Sequence, residues 1–118
     1  MKIFTITLLL LLGMSINLFG QSNISLRVLT VEVKISSGEF TKAQESFKKD
    51  FAANSILQSI SIVKSNVTTR KWIINSVMTP PNPLTDEQVK EIKKIVSAKY
   101  PQAIFQVVTG NEAQELFK

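Results

Sequence analysis

Three groups of residues in this chain are of types that could do chemistry. Arg70-Lys71-Trp72 sets two cations beside the chain's one tryptophan. An aromatic ring flanked by cations can stack on a base or a sugar ring. The same indole, turned inward, anchors a core through the large area it buries. Glu32 and Lys34 stand two apart in a stretch where Leu29, Val31, Val33 and Ile35 alternate with Thr30, Glu32 and Lys34. On a strand they share a face, opposite the apolar set. Lys48-Lys49 and Lys93-Lys94 put a basic pair on each of two amphipathic segments. Such pairs either bind anions or form the solvated face that lies opposite an apolar stripe. Lys34, Glu32, Arg70 and Trp72 are the candidate binding residues.

The absences narrow the chemistry further. The chain has no histidine and no cysteine. Zinc sites of the usual ligands, thiol chemistry and Ser-His or Cys-His nucleophile pairs are thereby excluded. Four glycines are too few and too scattered for a phosphate-cradling loop. Of the nine carboxylates, only Glu32 falls in mid-strand, and no spacing marks an acid–base pair. No catalytic residue, metal or cofactor is expected. An enzyme built on carboxylates and lysines is kept as the alternative of a different class.

These residues must be positioned by the chain beyond residue 20, because the first twenty positions read as an address. Lys2 precedes an apolar run ending in Leu8 to Leu12, and Gly20 supplies a small residue before Gln21. This is the pattern of a secretory signal peptide. Even counted to Phe19 the stretch is close to the minimum of ~17 residues that spans a bilayer. Cleavage at Gly20 would leave one domain, residues 21–118, with no stable membrane span. The whole chain carries a net charge of +5, and loss of Lys2 with the leader makes it +4, a mild preference for anionic partners. Export without cysteine, and hence without disulfides, fits a bacterial periplasmic or secreted protein.

The domain reads as β-α-β-β-α-β. Residues 25–35 alternate as a half-buried strand. Residues 41–54 read as a helix opened by a Thr41/Gln44 capping box, with Ala43, Phe47 and Phe51 on one stripe. Residues 57–63 form a second strand, Lys64-Ser65-Asn66 a turn, and residues 69–78 a third strand that is apolar on both faces. Thr79-Pro80-Pro81-Asn82-Pro83 must end it, because proline cannot donate to a ladder. Residues 85–99 form the second helix, with a Thr85/Gln88 capping box and a buried stripe of Val89, Ile92 and Val96. Residues 103–108 give a last strand, and 110–118 a tail with a final helical turn. The order predicts a ferredoxin-like α+β sandwich, one antiparallel sheet with both helices on one face. The other sheet face would then be open. There, Thr30, Glu32, Lys34, Ser59, Ser61 and Val63 would meet water, a ligand or another subunit, joined by either Trp72 and Ile74 or Ile73, Asn75 and Val77.

Taken together, the first strand, Ser36-Ser37-Gly38-Glu39-Phe40-Thr41-Lys42 with Glu45, the lysine-rich helix, and a second half ending Lys99-Tyr100-Pro101-Gln102-Ala103-Ile104-Phe105 resemble the SPOR (sporulation-related repeat) family over residues 27–108. The resemblance implies a small bacterial envelope domain of βαββαβ fold that binds peptidoglycan glycan strands through its open sheet face. The expected function is thus an exported, non-enzymatic binding domain with a glycan or anionic partner. A protein–protein or inhibitor module is the alternative, an envelope protein the alternative partner, and nucleic acid is not expected.

Overall fold

A computed structural model describes residues 26–118; the leader and its cleavage point lie outside the described residues. The elements are β1 (Arg27–Glu32), α1 (Ser37–Ala52), β2 (Ile60–Asn66), β3 (Lys71–Ser76), α2 (Asp86–Lys99), β4 (Ile104–Thr109) and α3 (Gly110–Glu115). The four strands form one antiparallel sheet in the order β2-β3-β1-β4. The protein is an α+β domain with its two long helices on one side of that sheet.

The register explains the two-sidedness. Leu29 faces Ile74 and Val107, and Val31 faces Trp72 and Phe105. These positions share the side on which Phe40, Phe47 and Phe51 of α1 and Val89, Ile92 and Val96 of α2 are buried. With Leu29, Val31, Trp72 and Ile74 those side chains form the main core, Phe105 packs against it, and Val107 at the sheet edge stays exposed. One residue along each strand, Thr30 faces Ile73 and Gln106, and Glu32 faces Lys71 and Ile104. Those side chains project from the opposite face, as the two-residue period requires. β3 is apolar on both faces because both are covered: Trp72, Ile73 and Ile74 are all buried.

Three sequence expectations need correction. Ser36, not Thr41, caps α1, its side chain accepting from the Glu39 amide. Thr41 lies one turn inside and donates its hydroxyl to the Ser37 carbonyl. Lys64, Ser65 and Asn66 belong to β2, which turns only after Asn66. The face opposite the long helices is not wholly open. Gly110 takes φ +60, a left-handed conformation that costs glycine nothing, and turns the chain back under the sheet. There α3 buries Ala113 in a second small core with Val28, Ile73 and Val108, against which Leu26 and Leu116 pack.

The α2 start stands as expected. Thr85 accepts from the Gln88 amide and Gln88 reaches back to the Thr85 amide, at 3.1 and 2.9 Å. Arg27 fastens this end to β1 through the Leu84 carbonyl and Asp86. Thr85→Ala is expected to cost about 1 kcal/mol, read as a lowered midpoint in urea unfolding with an unchanged slope. An unmoved midpoint would remove Thr85 as the cap.

Candidate functional site

The candidate site lies on the sheet face opposite α1 and α2, at the end where β2 turns into β3. A register shift between Ile62 and Lys64 builds it. Ile62 pairs with Ile74 on the core side, whereas Lys64 pairs with Ile73 on the other. Val63 is the extra residue of a bulge, a feature that re-aims the side chains beyond it. Without it, strict alternation would turn Lys64 toward the core. With it, Lys64, Ser65, Asn66, Thr69, Lys71, Ile73 and Leu116 line a groove of about 290 Å³. No carboxylate is among its described lining residues.

The two groove lysines differ in their commitments. Lys64 donates from Nζ to the Leu116 carbonyl at 2.8 Å and toward the backbone oxygen of Lys118 at 3.5 Å. It thereby holds the C-terminal tail along the edge of the groove. The half-buried Lys71 has no ion-pair or hydrogen-bond partner for its ammonium among the described residues. Glu32 sits across the ladder from it in register.

The four candidates from sequence fall in three different environments. Glu32 is half-buried beside the groove lysine on the expected face. Lys34 is exposed just past the end of β1. Trp72 is fully buried on the helix side, stacked on Phe40 at 4.7 Å between ring centroids and edge-on to Phe47 at 5.5 Å. Its indole N–H donates to Gln44 Oε1 at 3.3 Å. Of the two parities open for β3, the structure selects Ile73 and Asn75 for the far face. Arg70 is spent on the backbone: Nε donates to the Ile35 carbonyl at 2.8 Å, and Nη1 to the carbonyls of Val67 and Thr68. It clamps the β2–β3 turn to the β1–α1 connection. Sequence reasoning missed Lys64 because it read Lys64-Ser65-Asn66 as a turn, whereas all three belong to β2 beyond the bulge.

Four of the helix lysines, Lys48, Lys93, Lys94 and Lys99, are engaged at the surface, and Lys42, Lys49 and Lys90 have no ion pair or ring contact among the described residues. Lys48 pairs with Glu45 and Lys94 with Glu91, each three residues away. Lys93 lies over the Phe105 ring and Lys99 over Phe47 and Tyr100. Among the described residues no group of three or more metal-ligating side chains converges, and no helix is long and apolar enough to cross a membrane.

One titration is displaced, away from the groove. Tyr100 donates its hydroxyl to Glu39 Oε2 at 2.9 Å. Burial, reinforced by that hydrogen bond and by the Glu39 charge, pushes its phenol up to about 12. The folded state favours the neutral phenol. Its contribution to stability is therefore whole below the ordinary phenol value of about 10 and is lost as pH rises through the folded value. Tyr100 is the chain's one tyrosine, so absorbance at the phenolate band reads it alone. A midpoint near 12 in the native protein and near 10 in denaturant is expected; coincident midpoints would mean that the Tyr100–Glu39 bond does not hold in solution.

Compared with protein-family models, with curated proteins and with solved structures, the chain matches none.

Proposed function

We propose that the protein is a non-enzymatic binding domain of the bacterial cell envelope, exported by its leader, whose basic groove takes an anionic glycan, with peptidoglycan strands as the ligand class. The observation that carries this is the convergence of Lys64 and Lys71 with Ser65, Asn66 and Thr69 around one groove that has no carboxylate in its described lining. Amides and hydroxyls are the groups that hydrogen-bond sugar hydroxyls, and the lysines supply charge for the carboxylates such strands carry. Read from the other edge, the sheet order is β4-β1-β3-β2. With the βαββαβ succession this supports a ferredoxin-like, SPOR-like domain, with α3 as an addition. The groove sits on the sheet face that the family resemblance nominates. Glu32 and Lys34 belong to its margin, whereas Arg70 and Trp72 support it from within the fold.

Co-sedimentation with purified sacculi tests the reading. Lys71→Glu should weaken binding about tenfold, the scale of removing one charge-assisted hydrogen bond and adding one repulsion. The double reversal Lys93→Glu/Lys94→Glu should leave binding within twofold. The opposite ranking would move the site to the helical surface. A protein partner is the second reading, favoured by β4: it is an edge strand with Ile104 and Val107 exposed, the kind of edge that accepts an added strand. It would be preferred if sacculi fail to bind while β4 variants abolish capture of an envelope protein.

A further inference from the structure

Across the C-terminal tail from the basic groove lies a second depression of different chemistry. Its volume is about 230 Å³, and Leu26, Val63, Asn75, Ser76, Met78, Pro81 and Phe117 line it. None of these is charged. Val63, Met78 and Phe117 are 39%, 52% and 41% exposed, an unusual concentration of large apolar side chains at one surface spot. Within its wall Asn75 is only 4% exposed, and its Oδ1 is buried with no hydrogen-bond partner among the described residues. A buried acceptor left unpaired is costly, and native folds satisfy most such groups with protein, water or ligand. Asn75 is the exception among the described side chains, and it borders a cavity. Its terminal amide torsion is broad, and rotation about it is what brings the acceptor to the depression.

We propose that this depression is a second binding site, for a small, neutral, planar and mostly apolar molecule carrying one N–H donor. Each term comes from the wall. The absence of charged lining residues disfavours an ion, which would enter unpaired. Phe117, Pro81 and the Met78 thioether are surfaces on which an aromatic ring packs well. The Asn75 carbonyl takes the one donor. The volume lies just below the range usual for drug-sized ligands, which fits a bicyclic ring better than a larger molecule.

Indole and indene make a matched pair of probes, alike in shape but differing in the N–H. Met78 is the one methionine among residues 26–118, so its labelled methyl resonance reports on the depression directly. Titrating the protein with indole should move that resonance saturably. Indene should bind about tenfold more weakly, the equivalent of one hydrogen bond to a buried acceptor. Asn75→Leu should bring the two affinities together. Because that variant replaces a buried side chain, Phe117→Ser serves as a second: at an exposed position, it should weaken both probes alike. Lys71→Glu should change neither, which separates this site from the basic groove. A Met78 resonance unmoved by indole, equal affinity for indole and indene in the unaltered protein, or indole binding indifferent to Phe117→Ser would each overturn the proposal.

Discussion

Trp72→Ala is expected to destabilise the protein by about 3–5 kcal/mol, the range for an aromatic deleted from a packed core. The indole is at the centre of the described aromatic cluster, stacked on Phe40 with an interplanar angle of 7° and edge-on to Phe47 at 81°. Phe47 passes the packing on to Phe51 and Tyr100. Losing the ring removes two aromatic pairings, worth more than their area alone, and strands the Gln44 amide that accepts from Nε1. Urea unfolding measures the loss. Trp72→Phe, which keeps a ring for Phe40, should recover a large part of it. A loss below about 1 kcal/mol for the alanine variant would place the indole outside the core and make it a ligand-stacking group again.

The second large effect belongs to Arg70, whose cation serves the fold. Its φ of 55 is left-handed, which disfavours an L-residue by roughly 1–2 kcal/mol. The three carbonyls bound by its guanidinium hold it there. The bond to the part-buried Ile35 carbonyl matters most, because water replaces the two exposed ones with less loss. Arg70→Ala is expected to cost about 2 kcal/mol, a charge-assisted bond removed while the backbone strain stays. Arg70→Gly, which tolerates the conformation, should be about 1 kcal/mol more stable than Arg70→Ala. Lys71→Ala, one residue away, should fall within about 0.5 kcal/mol of the parent protein. Equal stability of the alanine and glycine variants would remove the strain argument.

The contrast between these neighbours shows what could be read from the residues alone. The Thr85/Gln88 start of α2 was legible because a capping box is a local contract between residues three apart. The core stripes of both helices were legible because their periods survive into the fold. The start of α1 was not, because Ser36 and Thr41 are both good caps and only the path from β1 chooses between them. The end of β2 was hidden because Lys64-Ser65-Asn66 is polar enough to read as a turn, and the bulge at Val63 breaks the alternation that would have carried the strand through it. That error concealed Lys64. Arg70 and Lys71 look alike as a basic pair, yet a positive φ turns one guanidinium onto the backbone while the other cation stays on the sheet. The tail's role rested on Gly110, whose left-handed turn brings α3 beneath a face that the βαββαβ order by itself leaves bare.

The central proposal is that ligand meets the sheet face at Lys64 and Lys71. Backbone amide shifts of the 15N-labelled protein, titrated with soluble peptidoglycan glycan strands, test it most directly. Saturable changes confined to residues 63–73 and the neighbouring tail at 114–118 are expected, with α1 and the exposed face of α2 still. Changes concentrated instead around Lys48, Lys49, Lys93 and Lys94, with residues 63–73 unmoved, would contradict it.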